Sequence, residues 1–343
     1  MEVYSLVMNK MKKVLMALMI LCLSAQLVAC KNTQKEVASK SGDANPANEI
    51  TMEIMDKEEK FDKIPEKVVA VGYDNAEILT KLGLEDKIVG LTGCMYREEH
   101  CYPELSEKMK NIKILPDGKS KGVPSFETVL STNADMIYCM SYHFTPDYIA
   151  PLSDLVDNNI KYYVSDGTYK TDAGLDVVGK DIENLGKIFR IEEKANELKK
   201  TYDESIKEIT NKVKDTKLVD VFVFDFQDKA GIMPPGGKGY QNNLLKAAGA
   251  NNVFSDFDSD FDVATLEEII ARDPDYIILV EYWDENEADE KIKYLESLPE
   301  LKDVTAIKNK NYIRLKGIEY FPSLHSVDGL KKIAEAIHPD KMK

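Results

Sequence analysis

From Lys67 onward the chain alternates short apolar runs rich in β-branched residues with longer stretches whose apolar positions recur every three or four residues. The first kind predicts strands and the second helices, and their alternation is the pattern of parallel sheets covered by helices. Strands are expected at "KVVAVG", "KIVGLTG", "IKILPD", "DMIYCM" and "KYYVSD", then at "VDVFVFDF", "NNVFSD", "DYIILVEY" and "NYIRLKG". Helices are expected at "YQNNLLKAAG", "LEEIIARD" and "EKIKYLESL". Between the two halves, apolar residues from Leu175 to Val213 keep helical spacing. A break is expected at Arg190 and Ile191, leaving a helix from Ile191 to Lys214 of roughly 36 Å at 1.5 Å per residue.

The pattern repeats. "VPSFETVLSTNADMIY", Val123 to Tyr138, aligns without gaps on "VATLEEIIARDPDYII", Val263 to Ile278, 140 positions later. Val123 and Val263, Glu127 and Glu267, Asp135 and Asp275, and Ile137 and Ile277 match outright. Each copy reads as a capped helix, begun by Ser125 or Thr265, then a polar turn and a short apolar strand; in the second copy Thr265 and Glu268 make a capping box. A period this long is outside the range of stacked solenoid repeats, so the repetition predicts two similar α/β lobes.

The first thirty residues differ in kind. Lys10, Lys12 and Lys13 precede an apolar run, Val14 to Leu23, and "LSAQLVAC" ends at Cys30. That is the layout of an export signal, and the run is shorter than the roughly 20 residues a spanning helix needs. Met11 opens the tidier start, "MKKVLMALMI". The polar stretch after Cys30, "KNTQKEVASKSGDANPANE", reads as a flexible tether.

Composition narrows the partners. A chain of 343 residues, 43% hydrophobic and 31% charged, has material for two cores, and a net charge of −15 with only four arginines argues against nucleic acid. One of the five cysteines lies inside the signal and another is Cys30; Cys139 ends a core strand and reads as a buried structural thiol. Cys94 and Cys101 flank "MYREEH" in one loop, where a local disulfide, free thiols or a metal site are the alternatives in an exported protein. "GGKGY" lacks the P-loop pattern, and no G-x-S-x-G or H-E-x-x-H motif occurs, so the chain reads as a binder and not an enzyme.

Taken together, "IPEKVVAVGYDNAEILTKLGLEDKIVGLTG", "VPSFETVLSTNADMIY", "NLGKIFRIEEKANEL", "LLKAAGANNVF", "VATLEEIIARDPDYII" and "SLHSVDGLKKIAEAIHP" resemble the substrate-binding lipoproteins of ABC importers. The class is the helical-backbone one that serves iron-siderophore, haem and cobalamin uptake, and the likeness runs from about Lys63 to Pro339. It implies an α/β fold of two similar Rossmann-like lobes joined by one long backbone helix, with the ligand cleft between them. "LVAC" resembles the bacterial lipobox, which implies Cys30 as first mature residue and diacylglyceryl anchor on the outer face of the cell membrane. The expected organisation is then signal 1–29, lipidated cysteine and tether 30–49, first lobe 50–173, helical segment with the spine 174–215, and second lobe 216–343. In the family an acidic residue on each lobe docks to arginines of a permease dimer, and the matching positions here are Glu127 and Glu267. The resemblance implies a monomer that carries cargo and needs no cofactor.

Ligands of open α/β sheets bind beyond the carboxyl ends of strands, so two facing lobes present two such rims to one cleft. The residues just after the expected strands include Tyr73, Tyr96, Arg97, Tyr142 and His143 in the first lobe. Lys238, Tyr240, Tyr282, Trp283, Tyr320 and His325 follow in the second. Aromatic and basic groups in an acidic protein suit a bulky ligand with π-faces and negative charge, such as a ferric siderophore. Haem, cobalamin or a directly bound metal ion are the alternatives, with His143, His325, Tyr96 and Met95 as axial candidates for haem.

Overall fold

The computed structural model describes residues 49–229, 231–284 and 286–343. The expected signal, the anchor Cys30 and the tether as far as residue 48 lie outside the described residues. The chain opens with an antiparallel hairpin of β1 (Ile50–Ile54) and β2 (Lys57–Phe61), which the sequence did not announce. Its turn residues, Met55 and Asp56, both have positive φ (53° and 57°), the type I′ geometry that matches strand twist, here built without the Asn-Gly or Asp-Gly signature.

Two four-stranded parallel sheets follow. The first runs β4-β3-β5-β6, from β3 (Val68–Val71), β4 (Ile88–Thr92), β5 (Met136–Cys139) and β6 (Lys161–Val164). The second runs β10-β7-β11-β12, from β7 (Val219–Phe224), β10 (Ala250–Asn252), β11 (Tyr276–Glu281) and β12 (Tyr312–Lys316); a small separate hairpin, β8 (Phe226–Gln227) and β9 (Ile232–Met233), follows β7. Both sheets share one order: the first strand is interior, the second lies at its edge, and the third and fourth extend the other side. The internal repeat falls on the helix preceding the third strand and on that strand itself, β5 and β11. "IKILPD" is no strand. It makes one bridge, Ile114 to Leu91, through the Leu91 N–H to the Lys113 carbonyl and the Leu115 N–H to the Leu91 carbonyl, and pairs no further.

The strands read as continuous apolar runs because helices cover both faces; all four residues of β3 and of β5 are buried. In the second sheet alternation separates two cores. Val221, Val223, Ile278 and Val280 join the core of the first lobe, while Phe222, Phe224, Ile277 and Leu279 pack into a second core on the far face.

The long amphipathic stretch is two helices, Val177–Phe189 and Glu192–Val213, broken where Arg190 turns left-handed (φ 59°). Gly186 faces Ala195 and Gly179 faces Asp203, so the helices run antiparallel, and the 22-residue second one is the spine, about 33 Å long. Ala195, Tyr202, Ile209 and Val213 of the spine belong to the same core as both sheets' inner faces. The lobes are therefore packed through the spine as well as tethered by it, which favours small relative motions. A Cβ at Gly186 would sit 2.3 Å from the Ala195 Cβ. Gly186→Val is expected to lower stability by about 1–3 kcal/mol through overpacking, read as a lower thermal midpoint.

Candidate functional site

Between the carboxyl rims of the two sheets lies a cleft of about 500 Å³. The first lobe contributes Met95, Lys121, Tyr142, Tyr148, Tyr169 and Lys170, and the second Phe226, Tyr240, Asp260, Phe261, Trp283 and Phe321. Lining is thus dominated by aromatic faces, with two ammonium groups and one carboxylate. Lys170 is held 2.8 Å from Asp166, whereas the Lys121 ammonium sits 4.3 Å from the centre of the Trp283 ring.

Trp283 crosses from the second lobe onto the first. Its ring lies against Gly122 (φ 75°) and Gly93, and a Cβ at Gly122 would come within 2.8 Å of the indole. Only glycine supplies both the backbone angle and the space. On the opposite wall "GGKGY" serves close backbone approach. Gly236 and Gly237 donate to the carbonyls of Asp260 and Phe257, and a Cβ on either would lie 2.2 Å from a carbonyl oxygen of the 255–261 loop. That contact places Asp260, Phe261 and Tyr240 on the cleft wall.

Of the residues expected to bind the ligand, Tyr142, Tyr240 and Trp283 line the cleft and the others do not; of the axial candidates for haem, Met95 alone lies on the wall. Tyr73 is buried behind Trp283, near Gly93. Tyr96 and Tyr320 are fully buried, and Tyr282 donates its hydroxyl to Asp225. Arg97 pairs with Glu99, 3.1 Å away, and Lys238 with Asp258, 3.2 Å away. His143 is buried, its Nε2 3.3 Å from the Cys94 Sγ and its Nδ1 accepting from the Met140 N–H; burial pushes the ring down to about 3. The bridge between Cys94 and Cys101 is not formed. Both thiols are free and buried, with Cys94 turned to His143 and Tyr142. Reading each rim as ligand surface therefore mixed the cleft wall with the seam beneath it. Of the missed wall residues, Tyr148, Tyr169 and Phe261 sit in connecting segments and Phe226 in the short strand β8.

The seam beneath the cleft is polar. Asp74 and Asp225, each just past the first strand of its lobe, are fully buried, and burial pushes their carboxyls up to about 8 and about 7. Beside them His325 of the second lobe places Nε2 2.8 Å from Glu77 Oε2 of the first. The Tyr102 N–H donates to the other Glu77 oxygen (2.7 Å), the Tyr102 ring stacks on His325 at 3.9 Å, and its hydroxyl donates to Asp328 (2.7 Å). Burial works against a charged His325, but hydrogen bonds to Asp328 and Glu77 outweigh it and hold the ring up to about 9.

This architecture, two like lobes with a shared cleft and a helical spine, recurs in known proteins. The periplasmic binding protein family model matches residues 68–318, which span both sheets and the spine. The chain belongs to the periplasmic binding protein family. Curated relatives include an uncharacterized ABC transporter substrate-binding lipoprotein, YvrC, of Bacillus subtilis, 24% identical over 333 residues (94% of this chain, 96% of the relative). The petrobactin-binding protein YclQ of the same organism is 24% identical over 334 residues (95% and 98%). Among solved structures, a periplasmic binding protein from Veillonella parvula superposes with a TM-score of 0.75 at 29% identity, covering 85% of this chain and 98% of that one.

In this binding protein the helices of the repeat, Phe126–Ser131 and Leu266–Arg272, carry Glu127 and Glu267 at the same place, two residues past a hydroxyl cap. Ser125 accepts from the Thr128 N–H at 3.1 Å and Thr265 from the Glu268 N–H at 3.2 Å. Both glutamates are exposed, and neither makes an ion pair among the described residues. No helix among the described residues is long and apolar enough to cross a membrane.

Proposed function

We propose that this protein captures a bulky iron chelate, a ferric siderophore, in the interlobe cleft and delivers it to an ABC permease dimer docked at Glu127 and Glu267. It acts from the outer face of the cell membrane, anchored through lipid on Cys30. The observation that carries the reading is the cleft wall: aromatic faces from both lobes with the ammonium groups of Lys121 and Lys170, shaped for a large ligand with π-surface and negative charge. The relative named for petrobactin supports an iron chelate. No histidine lines the cleft. His143, His325, His100 and His338 all contact other protein groups, which disfavours imidazole-ligated haem or a bare metal ion and leaves Met95 as the one proposed axial ligand on the wall.

Trp283 is the chain's single tryptophan and lies in the cleft, so its emission reports occupancy. Titrating full-length protein in detergent with ferric catecholates, ferric hydroxamates, haem, cobalamin and divalent metals is expected to give saturable quenching by one ferric chelate class, by half or more, at sub-micromolar levels. Quenching by a bare metal alone, or by haem or cobalamin alone, would replace the siderophore with that ligand.

A further inference from the structure

The repeated helices share more than their glutamates. Leu130 and Ile270, three residues beyond Glu127 and Glu267, are large apolar side chains exposed to 38% and 40%. At a separation of three, each lies beside its glutamate on one helix face, while the next position inward, Val129 or Ile269, is fully buried. The equivalence is not automatic. Farther along the same ungapped alignment, Tyr142 is 36% exposed and lines the cleft, whereas its counterpart Tyr282 is tied to buried Asp225. Single exposed apolar side chains are common on folded proteins, so exposure alone says little; here a leucine and an isoleucine are exposed at matched places on two lobes, each next to a carboxylate with no ion pair among the described residues.

In parallel α/β units the helix preceding a strand begins at the sheet's carboxyl rim. Here Val123 and Phe261, on the chain leading into the two helices, line the cleft. The paired patches thus flank the mouth of the site.

The geometry points to a bipartite docking surface: on each lobe a glutamate and an adjacent apolar anchor, Glu127 with Leu130 and Glu267 with Ile270. Its occupant is the permease dimer, offering on each half a basic side chain beside an apolar pocket. This inference rests on the docking reading above and adds to it. Carboxylates attract and orient, but they are screened by salt and contribute little once solvated, so a charge-only contact is weak. An apolar residue seated in a pocket supplies the part of the affinity that salt does not remove. Two chemically matched patches fit a two-fold partner, because each half then meets the same pair of groups.

The test uses full-length protein in intact cells, with a benzophenone amino acid placed singly at 130, at 270, or at exposed Ser131, which lies one turn from Glu127 on the same face. After irradiation, adducts are identified by mass spectrometry. Positions 130 and 270 are expected to link to one polytopic permease. Leu130→Ser with Ile270→Ser is expected to cut the yield from position 131 at least tenfold at about 0.5 M salt, where charge attraction is screened. Glu127→Gln with Glu267→Gln should cut it mainly at low salt. If the serine pair leaves the yield unchanged while the glutamine pair removes it, the apolar anchors fall and charge docking stands. Adducts with a second copy of this chain overturn the inference in favour of self-association. No permease adduct from any of the three positions removes the docking reading and this inference with it.

Discussion

Glu77→Gln is expected to lower the melting temperature by roughly 5–10 °C at pH 7, and the gap to the parent protein is expected to close as pH rises toward about 10. Glu77 is completely buried, and one of its oxygens holds His325 across the seam between the lobes. The folded ring is held up to about 9, above the ordinary histidine value near 6.5, so the sign follows directly. Its stabilisation is fully present below about pH 6.5 and is lost as pH rises through about 9. Glutamine keeps the shape and can still accept the Tyr102 N–H, but it removes one of the two carboxylates, Asp328 being the other, that hold His325 protonated. The other groups facing the ring, Asp328, Asp74 and the Tyr102 hydroxyl, stay in place, so the difference between the two melting curves isolates the Glu77 term. A gap that stays constant from pH 6 to pH 10 would show that His325 is neutral in the folded protein.

This seam explains what the sequence could and could not convey. Strands such as "VVAV" and "MIYC" were legible because parallel sheets buried on both faces leave continuous apolar runs, and the repeat was legible because two lobes solve the same packing problem with the same cap, helix and strand. The break at Arg190 was expected from the sequence; its consequence, an antiparallel pair sealed at Gly186 and Ala195, was not legible, since a close approach of two helices leaves only a glycine in the sequence. The β1–β2 hairpin was missed because its turn uses Met55 and Asp56 at positive φ, where glycine or asparagine is the usual signal.

The candidate site was legible only in part, at Tyr142, Tyr240 and Trp283, for a related reason. A residue that follows a strand is committed to the rim, but the rim has a wet side and a side that meets the other lobe. Tyr142 and Trp283 turned to the cleft, while Tyr96, Tyr320 and His325 turned to the seam, and the choice depends on the position of the opposite lobe. Loop residues such as Tyr169 and Phe261 reach the cleft only because their loops are pinned, Tyr169 by accepting from the Met55 N–H and the 255–261 loop by the glycines of "GGKGY". Such long-range pinning has no local sequence period.

Reversing both proposed docking charges, Glu127→Lys with Glu267→Lys, is expected to abolish uptake while leaving cargo affinity within about twofold of the parent. Neither glutamate lines the cleft, and both are exposed without an ion partner among the described residues, so the fold loses nothing measurable. With the proposed docking the effect is larger than simple neutralisation, because each lysine would set a like charge against a basic group of the permease, and such juxtapositions cost several kcal/mol apiece. Each single reversal should therefore slow transport roughly tenfold or more, since the other lobe still engages its half, and the pair should reduce it a hundredfold or beyond. The two quantities are read separately, transport in cells supplied with the ferric chelate that quenches Trp283, and affinity from the quenching itself. Loss of both together would place the glutamates in cargo binding. Retention of transport in the double variant would mean that the lobes meet the permease elsewhere, and the matched glutamates would then be products of the repeated fold with no role in docking.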